Sequence, residues 1–437
     1  MLRGGIEADL DEFGVPGASW VVFDDGEVTE TGEAGVADVS GGGPVTPATL
    51  FQAASISKPI AVLAMLRLVD RGLLDLDEDV NRKLTSWQVP PVGQWQPAVT
   101  LRQLASHSAG LTVSGFPGYA RDAALPTTAQ ILDGVRPATN IGVRVDLVPG
   151  TQFRYSGGGT MALQQLLEDV TGTPFRELMQ ELVLQPLGMS DSDYAQPLPP
   201  ELHPRAATGH DDAGSALDGR WDIYPQLAAA GLWTTPADLA KFALGVQRAY
   251  AGVDNAVLSV EMATEMLTPQ IAATSRIGGL NHLGLGLFVD DSGGRYGHSG
   301  GNAGFCCHML AYRDTRQGAV VMTNGDAGMW VVLRAFAAIA SAYGWRGYPD
   351  EVEHPDLPTD EQLEALAGPY SLQSGMTFEV KPAARGLEVR FDGQPPLQFR
   401  GLSAERFAGD GIDAQLEVRD GGLVLHQGGA EFPCVRE

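Results

Sequence analysis

The spacing of apolar positions changes character along this chain, and the changes divide it. Residues 1–13 read as a short amphipathic helix. From Ala18 to Asp38 the text ASWVVFDDGEVTETGEAGVAD alternates as strands do, with Asp25-Gly26 supplying the turn of a hairpin. Helical spacing then dominates: a run opening at Ser55 and carrying Ile60, Leu63, Leu66 and Leu68, a short helix at Thr100–His107, another near Ile131, then Met161–Val170, Phe175–Leu184, Ala237–Ala249 and Val260–Leu267. After Gly284 strands return as LGLGLFVDD, RYGHSGG, FCCHMLAYR and GAVVMTN, and a last helix runs from about Met329 to Tyr343. Strands at both ends of a helical middle predict an α/β (α+β) domain over 1–350. In it, one antiparallel sheet closed by the two chain ends is flanked by helices and carries an all-helical subdomain.

Beyond this the pattern changes again. YPDEVEHPDLP (348–358) is proline-rich and acidic, and a linker is expected over 351–362. Residues 363–437 offer short alternating runs, TFEVKP, LEVRFD, LQFRGL, AQLEVRD, LVLHQ and FPCVRE, separated by turns containing glycine. They predict a small antiparallel β-barrel.

Composition narrows the class of partner. With 29 Lys+Arg against 54 Asp+Glu the net charge is -25, which argues against nucleic acid or an anionic membrane as the main partner. The N-terminus MLRGGIEADLDEF carries acidic residues where a signal peptide needs a continuous apolar core, and no run approaches ~18 uncharged apolar residues, so a soluble cytoplasmic protein is expected. Cys306, Cys307 and Cys434 make no disulfide framework or metal spacing, and the adjacent pair lies in an apolar strand as packing residues. The eight histidines form no ligand pair, and neither a metal nor another cofactor is expected.

Candidate chemistry begins at Ser55-Ile56-Ser57-Lys58. A serine at a helix N-terminus has its hydroxyl beside unpaired backbone N–H groups and the positive end of the helix dipole, and three-residue spacing places the lysine on the same face. Lys58 can then hydrogen-bond Ser55 and take its proton. Pro59 is tolerated because the first helical N–H groups have no intrahelical partner to lose. Lys58 is one of only four lysines, with Lys83, Lys241 and Lys381, and it stands on the apolar side of a helix, where a charge is costly without a partner.

An acyl-enzyme site also needs a second proton carrier and donors for a developing oxyanion. PGTQFRYSG (149–157) delivers Tyr155 just before a glycine-rich helix start, although a lone tyrosine is equally readable as a satisfied core residue. GHSGG (297–301) places His298 at the end of a predicted strand, and the small residues after it, Ser299 and Gly300, let a substrate backbone come close.

Taken in order, Ser-x-x-Lys opening a helix, a Tyr-Ser pair about a hundred residues on, and His-Ser-Gly on a late strand resemble the serine β-lactamase and penicillin-binding-protein superfamily. The nearest branch is that of class C β-lactamases, D-stereospecific peptidases and related esterases. LRQLASHSAGL (101–111), PLGM (186–189) and AAGLWTTPADLAKF (229–242) resemble recurring family segments, and the likeness spans about residues 10–345. It implies Ser55 as nucleophile, Lys58 as its base and Tyr155 as proton shuttle, helped by His298, which stands where many relatives have the lysine of Lys-Thr-Gly. The backbone N–H groups of Ser55 and Gly301 would form the oxyanion hole. Gly157 departs from the pattern, because relatives carry asparagine there to orient the substrate amide. That change, with the absence of an export signal, lowers the expectation of β-lactamase activity.

The C-terminal barrel is similar to the lipocalin-like domain of D-stereospecific peptidases and of penicillin-binding-protein-type thioesterases, which release and cyclise nonribosomal peptides. This resemblance implies a peptidyl acyl substrate, presented as a carrier-protein thioester, with a peptide amine displacing Ser55. Arg436, or Arg419, could bind a substrate carboxylate. Tyr224, Leu232 and Trp233, near Gly231, are candidate pocket walls, and plain core packing is the competing reading. A D-stereospecific peptidase or a promiscuous carboxylesterase is the alternative enzyme, and a sensor that is acylated at Ser55 without turnover is the alternative of another kind.

Overall fold

The computed structural model describes residues 2–348, except Asn255 and residues 274–276, and residues 358–437 outside the segments 373–374, 384–385, 392–395, 410–413, 420 and 428–429. The chain divides into two units, Met1–Glu351 and Val352–Glu437.

The first unit is built on one sheet whose strands are β1 Gly17–Asp24, β2 Glu27–Gly35, β5 Ile271–Ala272, β6 His282–Leu283, β7 Phe288–Val289, β8 Arg295–Asn302, β9 Phe305–Tyr312 and β10 Gly318–Thr323, in the order β2-β1-β10-β9-β8-β7-β6-β5. A separate ribbon pairs β3 Phe51–Gln52 with β4 Trp233–Thr234. β1 and β10, from opposite ends of the unit, lie side by side with Ala18 opposite Thr323 and Phe23 opposite Gly318. Helices Pro236–Tyr250 and Gly328–Tyr343 both pack on β9 and β10. Every residue of those two strands is buried, which explains their near-continuous apolar text. β2, at the sheet edge, is polar and mostly exposed, as an unpaired edge requires.

Asp25 and Gly26, at φ +49° and +80°, form the hairpin turn expected between β1 and β2. The run LGLGLFVDD gives only Leu283, the end of β6, and the two-residue β7. Gly284 turns the chain out of the sheet, its N–H donating to Leu287 O (2.8 Å), and a Cβ there would lie 2.4 Å from Met266 O. The helix expected over Phe175–Leu184 is α-helical only to Met179 and continues as a π-turn over Gln180–Leu184.

The helix Ser57–Asp70 runs through the middle of the core. Eleven of its fourteen residues are buried, so it is apolar around most of its circumference rather than along one stripe.

In the second unit eight strands, from Gly368–Leu372 to Ala430–Arg436, close into an antiparallel barrel, with Tyr370 opposite Arg436 and Leu372 opposite Cys434 at the closure. Phe378, Val380, Leu387, Val389, Phe399, Phe407 and Leu416 point inward and form its core. Two strands, Gly368–Leu372 and Arg406–Gly409, were not anticipated by the six apolar runs. Residues 351–357 of the expected linker lie outside the described residues. Its last three residues open a helix, Asp360–Leu366, started by a capping box between Thr359 and Gln362. Among the described residues no helix is long and apolar enough to cross a membrane.

Candidate active site

Ser55 does not stand in the first turn of the α-helix. It occupies a 3₁₀ turn, Ala54–Ile56, that precedes it. The turn is anchored by the β3–β4 ribbon and by the Ala53 N–H donating to Leu232 O (2.9 Å). Ala54 takes φ +47°, a conformation that costs a non-glycine residue about 1–3 kcal/mol and persists only when its surroundings enforce it. Ser57 is the enforcer: its buried hydroxyl donates to Ala54 O (2.6 Å) and accepts the Leu232 N–H (3.1 Å). Ala54, Ile56 and Ser57 are fully buried while Ser55 is half-buried, so the strained turn lifts one hydroxyl out of the core.

Lys58 meets that hydroxyl from below. Its Nζ donates to Ser55 Oγ (2.9 Å) and to Ala229 O (2.8 Å), and lies 5.0 Å from the centre of the Tyr155 ring. The lysine is 4 % exposed and has no carboxylate partner among the described residues. Burial alone pushes its pKa from 10.5 down to about 7. At neutral pH a large fraction of Lys58 is therefore a free amine able to take the serine proton.

Tyr155 precedes the glycine-rich start of helix Gly157–Thr171, which Ser156 caps through Gly159 N (2.8 Å). Burial raises its pKa, and a hydrogen bond with Ser55 pulls the other way, so the phenol stays protonated. What holds it is His107, a residue that the sequence reading did not single out although it lies in LRQLASHSAGL. His107 is buried at φ +51°, its carbonyl accepts the Arg154 N–H (2.7 Å), and its Nδ1 accepts the Ser156 N–H (3.2 Å). The chain is thus clamped on both sides of Tyr155, whose ring lies 4.3 Å from the imidazole. The only sequence signal for this was a histidine inside a segment already set apart.

His298 sits on β8 with its ring 6.2 Å from Tyr155 and 5.3 Å from Phe288. Its Nδ1 lies 2.6 Å from Ser299 O, an acceptor, so that nitrogen carries the proton and Nε2 is left as a lone pair with no partner among the described residues. Burial first, then the Lys58 charge, push its pKa down to about 3. His298 is therefore neutral, and Lys58 is the group of the site that titrates near neutral pH.

The next residues divide by face. Ser299 Oγ pairs with His308 Nδ1 (2.8 Å), and that imidazole packs on Phe336 of the helix Gly328–Tyr343. Strand alternation turns the Ser299 side chain to the face away from His298, so only its backbone lies on the side expected to meet substrate. Gly300 presses on the nucleophile turn, where a Cβ would lie 2.3 Å from Ala53 O and 2.7 Å from Cys307 Sγ. Gly301 is exposed, and a Cβ there would meet nothing within 4 Å, leaving open space beside its amide.

Other expected positions fall elsewhere. Phe116 fills the space beside Gly157: a Cβ at 157 would stand 2.9 Å from its ring and 3.1 Å from Ser114 O. Trp233, 1 % exposed, belongs to an edge-to-face series with Trp221 and Phe305, and Leu232 is fully buried; both are core rather than pocket wall. Tyr224 is also closed off, its hydroxyl accepting the Ala303 N–H (3.0 Å). Gly231 is a packing glycine, since a Cβ would lie 2.7 Å from Leu227 Cα. In the barrel Arg436 donates to Ala365 O (2.8 Å) and Ala367 O, tying down the end of helix Asp360–Leu366, and Arg419 pairs with Glu417 and Glu431. Neither guanidinium is left free for a carboxylate.

Ser55, Lys58, Tyr155 and His298 are therefore brought together with Gly301, and together they can pass a proton from a serine hydroxyl to an amine. Because this needs neutral Lys58, kcat/KM for a simple ester should rise with pH and reach half its plateau near pH 7. A profile flat from pH 5.5 to 8.5 would contradict that assignment.

The Beta-lactamase family profile matches residues 2–344. The chain is 27% identical over 410 residues to a D-aminopeptidase of Gluconobacter oxydans (strain 621H), covering 93% of this chain and 72% of that protein. It is 32% identical over 208 residues to esterase EstB of Burkholderia gladioli, covering 44% and 50%. The crystal structure of SurE with D-Leu superposes with a TM-score of 0.63 at 22% identity, over 100% of this chain and 98% of that one.

Proposed function

Because the chain belongs to the Beta-lactamase family, we propose that it is a serine acyl-enzyme hydrolase and acyltransferase. In this reading it acts on peptidyl (thio)esters or amides, above all as a penicillin-binding-protein-type thioesterase that releases or macrocyclises a nonribosomal peptide. Serine-hydrolase-type activity is what relatives such as the D-aminopeptidase and the esterase have in common. The observation that carries the mechanism is the 2.9 Å contact between Ser55 Oγ and a buried lysine whose pKa is about 7.

Ser55 Oγ attacks the acyl carbon as its proton passes to Lys58. The oxyanion accepts hydrogen bonds from the Ser55 and Gly301 amides. The leaving group departs, with the Tyr155 phenol as its proton donor where one is needed, and Lys58 returns a proton to the phenolate. An amine of the same peptide, or water, then attacks the acyl-enzyme by the reverse path.

The preference for thioesters over amides rests on the proton supply. A thiolate leaves unprotonated, whereas an amide nitrogen must be protonated first, and here neutral His298 adds no acid. A D-configured acyl residue is supported by the likeness to the D-aminopeptidase. A carrier protein in the cytoplasm is the partner and place this reading requires. A D-peptidase or carboxylesterase is the second reading, favoured by the similarity to those two named relatives.

The test is product analysis by mass spectrometry on a peptidyl N-acetylcysteamine thioester ending in a D-residue, with Ser55→Ala beside the wild type. A Ser55-dependent product one water lighter than the linear acid establishes cyclisation. Linear acid alone selects the second reading, and no conversion of thioester or simple ester removes both.

A further inference from the structure

Asp222 carries a half-buried carboxylate with no hydrogen bond or ion pair among the described residues, and burial raises its pKa. Two arginines stand nearby in the chain, but both are engaged elsewhere. The Arg121 and Arg220 guanidiniums lie 4.8 and 4.6 Å from the Trp221 ring; Arg121 donates to Gly219 O, and Arg220 to His203 O, Ala206 O and Thr208 Oγ1. The partly exposed Asp222 carboxylate is therefore open to a cation that comes from outside the fold.

Its backbone is tied to both halves of the reaction centre. Gln52, three residues before the nucleophile, donates from Nε2 to Asp222 O (2.9 Å), and its Oε1 accepts from Asn302 Nδ2 (2.7 Å), next to Gly301. The carboxylate lies over Gly118, where a Cβ would come within 2.6 Å of Oδ2, so that residue leaves it room. Two positions earlier, Phe116 lies against Gly157 beside Tyr155. The stretch 116–118 therefore runs from Gly157, two residues after Tyr155, to Asp222, with an apolar ring at one end and a carboxylate at the other. Tyr224, two residues after Asp222, accepts the Ala303 N–H at its hydroxyl (3.0 Å), so the stretch 222–224 also reaches the turn after Gly301.

We propose that Asp222 is an anionic subsite that binds the ammonium group of the acyl donor, with Phe116 as the apolar wall between it and the reacting carbonyl. The favoured donors are then aminoacyl or peptidyl derivatives with a free amine. This rests on Ser55 being the nucleophile of the preceding section.

The experiment uses the full chain and two donors that differ only at nitrogen, the N-acetylcysteamine thioesters of D-phenylalanine and of N-acetyl-D-phenylalanine. The wild type should prefer the free amine by about tenfold or more in kcat/KM, since a hydrogen-bonded pair with a charged group in a half-buried site commonly has that effect. Asp222→Asn should bring the ratio near one, and Asp222→Glu should keep a preference. A wild-type ratio near one overturns the subsite without any variant, and so does an Asn variant that keeps the wild-type ratio. Should the wild type turn over neither thioester nor p-nitrophenyl butyrate, the nucleophile assignment has failed instead.

Discussion

Lys58→Met should lower kcat/KM for any acyl donor by about 10⁴-fold or more and at the same time make the protein harder to unfold at neutral pH. The activity loss follows from geometry: among the described residues the Ser55 hydroxyl has no other basic side chain at hydrogen-bond distance. The stability gain follows from linkage. The lysine pKa is 10.5 in the unfolded chain and about 7 in the fold, so between those values the unfolded state binds more protons and stability rises with pH. Below pH 7 the full cost of burying the cation is present. A depression of that size corresponds to about 4 kcal/mol at pH 7, from which the hydrogen bonds to Ser55 and Ala229 must be subtracted. Methionine fills a similar volume without charge. The variant's advantage should be largest near pH 6 and shrink as the pH approaches 10, in denaturant titrations run beside Ser55→Ala, which should be equally inactive but show no such trend. Activity within tenfold of wild type would remove Lys58 from the role of base.

Gly300→Ala should cost about 10²- to 10³-fold in turnover, the usual effect of losing an oxyanion donor. The new methyl would overlap Ala53 O, a backbone atom that cannot swing away, so β8 must retreat from the turn that holds Ser55. The two amides that should share one oxyanion then part, and a misplacement of about 1 Å can cost about 10²-fold. Overpacking should also lower stability by about 1–3 kcal/mol. Gly301→Ala is the comparison, because its Cβ meets nothing: thermal unfolding should be near wild type while activity falls only as far as the methyl obstructs substrate. Equal unfolding temperatures for wild type and Gly300→Ala would show that the strand does not bear on the nucleophile turn.

The features legible from the text were those written in local periodicity or spacing. The hairpin at Asp25-Gly26, the buried helix after Ser55 and the alternating barrel strands each needed only neighbours in sequence. The Ser-x-x-Lys tetrad is legible because three-residue spacing brings the two side chains together in a 3₁₀ turn leading into a helix as well as within one. What escaped depends on contacts distant in sequence. The positive φ of Ala54 is not legible locally, since the Ser57 hydroxyl that holds it is itself fixed by Leu232, far along the chain. His107 looked like one histidine among eight until its carbonyl and ring nitrogen were seen to grip Arg154 and Ser156. Trp233 and Tyr224 are large and aromatic, as pocket walls often are, but the ribbon with Phe51–Gln52 and the Ala303 amide seal them in. That the Ser299 hydroxyl pairs with His308 was equally hidden, because the partner comes from the neighbouring strand.

The seam between β1 and β10 sets a timetable for biogenesis. Ala18 and Thr323 are separated by about 300 residues of chain, so the two strands cannot join until β10 has left the ribosome. At roughly 5–20 residues per second this is a wait of about 15 to 60 seconds. During that interval β1, almost wholly apolar, has only the hairpin partner β2 to cover one edge. The helical middle can consolidate meanwhile, since its contacts are closer in sequence. Late closure of the sheet then brings β8 and its neighbour β9 against Ala53, so a nascent chain would acquire its reactive serine geometry only at the last step of folding.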